Sequence, residues 1–233
     1  MTPGVASLLV VAALVVAPSP AAAAGQPVQL RAADGVNLSG MLYPADGDAP
    51  AVVLVHMFTR TKDDWRPFAE RLQAAGLTAL AIDLRGHGAS AGVSTPAPAM
   101  ALDVQAAIGF LAGRSGVRGI AVVGASLGAS AALMAAAELP SVRGVALLSP
   151  VSDYRGVRID AALRKYAARP MFLVASTEDP LAARTVRGLV SGATPVAARE
   201  QRLSLVAAHG TQILERDPDI ATALVDWLRR TVF

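Results

Sequence analysis

Gly124-Ala125-Ser126-Leu127-Gly128 stands between an apolar run, Ile120 to Val123, and an alanine-rich stretch that begins at Leu127. A serine with glycines two residues to either side, on a sharp strand-to-helix turn, has the geometry of a nucleophile elbow. The glycines have a steric reason: a side chain at either place would collide across so tight a turn, while Ser126 is presented above the sheet with its hydroxyl exposed. A serine hydroxyl is a poor nucleophile near neutral pH. A base must take its proton, and a third group must hold that base in one tautomer. The chain has three histidines. His209, in Ala207-Ala208-His209-Gly210-Thr211, follows the last apolar run and precedes the final helical pattern. That position at a strand's carboxyl end makes it the expected base, because crevices in parallel α/β sheets open there. His56 and His87 lie in loops after two other apolar runs and are expected to make structural hydrogen bonds that shape them. Asp179, Glu178 and Asp153 compete for the third role. Asp179 also precedes Pro180 and a helical pattern, as an N-cap residue followed by proline at N1 would.

The elements that must position these residues alternate along the chain. Val28 to Ala32 and Asn37 to Tyr43 flank Asp34-Gly35, a hairpin turn signal, and read as an antiparallel pair. Ala51 to Val55 is a continuous apolar run, as expected of a central strand covered on both faces. Asp64 is placed to cap a helix from Trp65 to Ala75, with Gly76 as its stop. Further strands are expected at Leu77–Ile82, Ile120–Val123, Val142–Leu148, Met171–Ala175 and Leu203–Val206. Helices are expected at Ala99–Leu111, Leu127–Glu138, Ile159–Ala168, Leu181–Leu189 and Asp219–Val232. This alternation describes an α/β three-layer sandwich with a mostly parallel central sheet and an antiparallel hairpin at its N-terminal edge.

Composition bounds the rest. A chain of 233 residues that is 53% hydrophobic and 17% charged suits one compact domain, read as residues 25–233. Cysteine is absent, which excludes a thiolate nucleophile, a disulfide framework and a cysteine-based zinc site. The net charge of +3 comes from arginines scattered singly, without the basic stripe and interleaved aromatics of a nucleic-acid binder, so no nucleic-acid partner is expected. Val5 to Ala17 is apolar and is followed by Pro18, Pro20 and Ala21 to Ala24. This reads as a signal peptide over residues 1–24, cleaved after Ala24, its core shorter than the ~20 residues of a membrane span. The expected location is secreted, or periplasmic and cell-envelope, with no stable membrane insertion after cleavage; an uncleaved anchor is the alternative.

The sequence resembles the α/β-hydrolase family over Val28 to Phe233. Besides the elbow, Val52-Val53-Leu54-Val55-His56-Met57-Phe58 is similar to that family's strand and His-Gly-x oxyanion loop, with Met57 in the glycine place. Asp83-Leu84-Arg85-Gly86-His87-Gly88-Ala89-Ser90 resembles its D-x-R-G-H-G-x-S loop. The order Ser126, Asp179, His209 matches the family's nucleophile, acid and histidine. The resemblance implies Asp179 as the carboxylate and the backbone N–H groups of Phe58 and Leu127 as the oxyanion hole. It implies no cofactor and no metal. Within the family the chain is similar to small, lid-less, dienelactone-hydrolase-like esterases, with Ser126 where that group has cysteine. Only residues 150–170 separate two strands, which leaves little chain for a lid, so an open, shallow site is expected. The expected function is a secreted serine hydrolase cleaving small-molecule carboxylic esters by a Ser-His-Asp acyl-enzyme mechanism. The alternatives are a thioesterase, peptidase or lipase on the same fold, or a catalytically silent envelope-binding protein. Acyl and alcohol specificity and oligomeric state stay open.

Overall fold

The computed structural model describes residues 24–154, 156–192 and 199–232. Apart from Ala24, the expected signal peptide lies outside the described residues. β1 (Gln26–Arg31) and β2 (Asn37–Tyr43) form the opening antiparallel pair. Gly35 at φ 90° makes the turn between them. β3 (Ala49–Val55), α1 (Arg66–Ala74), β4 (Thr78–Ile82), α2 (Ala97–Ala112), β5 (Val117–Ala125), α3 (Leu127–Glu138) and β6 (Val142–Leu148) follow. A short ribbon, β7 (Asp153–Tyr154) with β8 (Val157–Arg158), then leads into α4 (Asp160–Tyr166). The chain closes with β9 (Met171–Ser176), α5 (Pro180–Ser191), β10 (Arg199–Ser204), α6 (Gln212–Arg216) and α7 (Pro218–Val232).

The eight-stranded sheet runs β1-β2-β4-β3-β5-β6-β9-β10. It is antiparallel through β1, β2 and β4, and parallel from β4 onward. α2, α3 and α5 cover one face and α1, α6 and α7 the other, each with its own apolar core. β3 and β4 are buried along their whole length because both faces are covered. Every parallel strand therefore delivers its carboxyl end to one rim of the sheet.

Local chemistry moves some boundaries. Asp64 does not cap α1; the Thr61 hydroxyl accepts the Asp63 N–H and caps a 3-10 turn over Lys62–Trp65. α1 starts after that turn, with Pro67 in its first turn, where a missing N–H costs nothing. The last strand lies at Arg199–Ser204, earlier than expected, and α6 and the β7–β8 ribbon are additional elements.

The loop after β4 is locked by ions. Arg85, 5% exposed, donates to both oxygens of fully buried Asp103 and to Asp34. Asp83 accepts the Lys62 N–H at 2.8 Å, the Lys62 ammonium at 2.7 Å and the Ala89 N–H at 2.9 Å. This ties the loop after β4 to the one after β3.

Candidate active site

β5 ends at Ala125 and α3 begins at Leu127, so Ser126 alone makes the turn. Its φ of 51° and ψ of −114° are unusual for a residue with a side chain. Such a conformation costs on the order of 1–3 kcal/mol and persists only when the surroundings over-determine it. Here they do. The Ser126 N–H donates to Leu148 O at 2.8 Å, and Ser126 O accepts the Ala129 N–H at 2.9 Å. A Cβ on Gly124 would lie 2.3 Å from Gly128 O, and one on Gly128 would lie 2.4 Å from His56 O. Both glycines are therefore required by close backbone approach, the first to the returning helix and the second to the end of β3.

His209 stands in the loop between β10 and α6, with its Nδ1 2.6 Å from Asp179 Oδ2. An ionised carboxylate only accepts, so Nδ1 carries the proton and Nε2 is the bare nitrogen of the neutral ring. Asp179 Oδ1 accepts the Ala182 N–H at 3.1 Å and caps α5. The two rivals are elsewhere: Asp153 accepts the Gly156 N–H at 2.8 Å inside the ribbon, and Glu178 is exposed.

The histidine loop is seated beside the elbow. A methyl on Gly210 would lie 3.4 Å from Ala125 Cβ and 2.7 Å from Met57 Sδ. Gly210, at φ 59°, is thus pressed against the end of β5 and the loop after β3. Met57 is buried beneath it, at 8% exposure.

Serines that the sequence reading passed over hold this loop. Ser149, fully buried at the end of β6, accepts the Gly210 N–H at 2.9 Å through its hydroxyl. The Ser176 hydroxyl donates to Val206 O at 2.6 Å. The signal available in sequence was a small hydroxyl residue at the carboxyl end of each of two apolar runs.

The loop after β3 is set by His56, which is fully buried. Its Nε2 accepts the Leu84 N–H at 3.0 Å, so Nδ1 bears the proton and donates to Met57 O at 2.8 Å. Burial pushes this ring down to a pKa of about 4, against the opposing pull of the Met57 carbonyl, and keeps it neutral. Met57 O and the Phe58 N–H belong to one planar peptide. Fixing the carbonyl therefore fixes the direction of that N–H. Arg60 N–H also donates to Met57 O, at 3.2 Å, closing a turn with Thr59 at φ 63°. Leu127 is the first residue of α3, a position whose N–H has no acceptor within the helix. His87 packs edge-on to the Phe58 ring, 5.8 Å between centroids.

Among the described residues, no cluster of three or more His, Asp or Glu side chains forms a metal site. No described helix is long and apolar enough to cross a membrane.

This arrangement, a strained serine at a strand-to-helix turn with an Asp-tethered histidine on a neighbouring loop, defines a class of hydrolases built on a parallel sheet. Residues 48–177 match the family model described as serine aminopeptidase, S33, and the chain belongs to that family of α/β-hydrolases. An esterase of Pyrococcus furiosus has a similar structure, with a TM-score of 0.79, 21% identity, and coverage of 90% of this chain and 91% of that one. A dienelactone hydrolase from Anabaena variabilis superposes with a TM-score of 0.72 at 22% identity, covering 90% of this chain and 98% of that one. A thiohydrolase of Arthrinium phaeospermum is 37% identical over 145 residues, which is 60% of this chain and 47% of that protein. The chain thus spans about half the length of that curated relative.

Proposed function

We propose that the protein is a serine hydrolase that cleaves small-molecule carboxylic esters through an acyl-enzyme. His209 Nε2 takes the Ser126 hydroxyl proton as the oxygen attacks the ester carbonyl carbon. The carbonyl oxygen becomes an oxyanion held by the N–H groups of Phe58 and Leu127. His209 then returns the proton to the departing alkoxide, the C–O bond breaks, and Ser126 is left acylated. Water, activated by the same ring, hydrolyses that ester and restores the serine. Asp179 keeps the imidazole in the required tautomer and stabilises its charged form.

The observation that carries this reading is the Asp179–His209 hydrogen bond on a loop packed against the strained serine turn. The test is labelling by a fluorophosphonate probe together with turnover of a chromogenic short-chain ester. Wild type labels and turns over; Ser126→Ala does neither. A folded wild-type protein that neither labels nor turns over any ester would favour a binding protein on a hydrolase scaffold.

Thioester hydrolysis is the second reading, favoured by the relative named as a thiohydrolase. Paired oxygen and sulfur esters of one acyl group separate the two. We also propose export, on the apolar run and small-residue site near the N-terminus. Intact mass of the protein from its source cell would then correspond to a chain beginning at or near Gly25, and a cytoplasmic chain retaining Met1 would contradict it.

A further inference from the structure

Resting on the roles assigned above to Ser126 and His209, we propose that the preferred substrate carries a hydroxyl group close to its ester carbonyl, and that Thr95 selects for it. A cavity of about 130 Å³ is walled in part by Phe58 and Leu127, the two residues whose N–H groups are assigned to the oxyanion. It therefore borders the place of the reacting carbonyl. A larger cavity, of about 260 Å³, lies by Trp65, Phe68, Thr211 and Leu214 and takes in neither of those two residues. The smaller one is bounded further by Pro96 at the start of α2 and by Tyr154 and Val157 of the β7–β8 ribbon. Its remaining wall is polar, made by Ser94 and Thr95.

The Thr95 hydroxyl is buried and has no hydrogen-bond partner among the described residues. Buried polar side-chain atoms are mostly satisfied, because one without a partner has given up water and gained nothing in return. A threonine beside a helix start commonly spends its hydroxyl on the cap. Here Pro96 holds the N-cap position of α2, with no side-chain capping bond. A substrate can supply the missing partner. The threonine hydroxyl offers one O–H donor and two lone pairs, so it can donate to a substrate hydroxyl or accept from it. A dry cavity of about 150 Å³ holds a benzene ring, so one of about 130 Å³ takes roughly five non-hydrogen atoms, a short chain with one hydroxyl. A plain alkyl chain would fill the same space and leave the Thr95 oxygen unpaired, which is how a polar pocket rejects an analogue that lacks the hydroxyl.

The experiment measures kcat/KM by titration of the released acid for matched pairs of esters. Ethyl butyrate is set against ethyl 2-hydroxybutyrate and ethyl 3-hydroxybutyrate, and butyl acetate against 3-hydroxybutyl acetate, so that the hydroxyl is offered on the acyl and on the alcohol side. In wild type the hydroxylated member of at least one pair is preferred by about tenfold, the worth of one satisfied buried hydrogen bond. Thr95→Val, which keeps the shape and removes the hydroxyl, abolishes that preference, and Thr95→Ser retains it. Urea unfolding gives a second readout: Thr95→Val is at least as stable as wild type, because the oxygen it removes has no partner in the folded chain. No preference in any pair, a preference that survives Thr95→Val, or a Thr95→Val variant markedly less stable than wild type overturns the proposal. Fluorophosphonate labelling of the same preparations separates the two levels. Labelled enzyme without the preference overturns the role of Thr95 alone, whereas unlabelled folded enzyme overturns the role of Ser126 and the substrate assignment with it.

Discussion

Asp179 divides its two oxygens between His209 and helix α5: Oδ2 lies 2.6 Å from the ring Nδ1, and Oδ1 accepts the Ala182 N–H at 3.1 Å. Helix cap and histidine partner look like competing readings of an Asp-Pro sequence. They are compatible because an ionised carboxylate offers about four lone-pair sites.

This double use separates two substitutions. Asparagine caps helices about as well as aspartate, so Asp179→Asn should keep its folding stability while turnover falls by about 10³ to 10⁴. Asp179→Ala should lose the same turnover and a further ~1 kcal/mol of stability with the cap. Glu178→Gln and Asp153→Asn should stay near wild type. Ester turnover and urea unfolding on the four variants decide this; near-normal turnover in Asp179→Asn would remove it from the mechanism.

Ser149→Ala tests the seat of the histidine loop. The substitution leaves the buried Gly210 N–H without its acceptor, at a cost of about 1–3 kcal/mol. A small displacement of the neighbouring His209 should also lower kcat by roughly 10- to 10²-fold. Unchanged kcat in a variant that is measurably less stable would show that this hydrogen bond serves folding only.

His56 gives a pH dependence of stability. Its folded pKa of about 4 lies below the ordinary 6.5, so the folded state refuses a proton that the unfolded chain accepts. Above pH 6.5 both states are neutral and the full stability is present. Between about 6.5 and 4 the unfolded chain is selectively protonated, and about 3 kcal/mol is lost. Unfolding free energies at several pH values should show this slope, and His56→Gln should reduce it. An identical slope in the variant would assign the effect to other groups.

Arg85→Met should be costly because it strands the fully buried Asp103 carboxylate. Breaking one side of such a pair costs about 3–5 kcal/mol, whereas replacing both partners by apolar residues is often nearly neutral. Arg85→Met with Asp103→Leu should therefore recover most of the loss in chemical denaturation. Equal losses in the single and double variants would mean the guanidinium stabilises through Asp34 or packing.

Elements facing the sheet's two cores were legible in sequence because burial writes apolar residues into them. Asn37–Tyr43, Leu127–Glu138 and Val142–Leu148 have the same bounds in the sequence reading and in the structure. β10 is different. As an edge strand it carries Arg199, Glu200, Gln201 and Arg202, residues that discourage edge pairing and erase the apolar signal. The sequence reading consequently slides to Leu203–Val206 and includes the exposed Leu205. The two-residue strands of the β7–β8 ribbon are too short for any period to show. Ser126 and the Asp179–His209 pair were reachable from motif and position. Ser149 was not, because its hydrogen bond to Gly210 joins residues far apart in sequence.

The backbone strain at Ser126 sets a direction for selection. At φ 51° a glycine would relax much of the ~1–3 kcal/mol held there. Directed evolution for thermal resistance alone should therefore enrich glycine at position 126, and the winners would be robust, well-folded and inert. Screening this scaffold for heat tolerance has to score turnover in the same round.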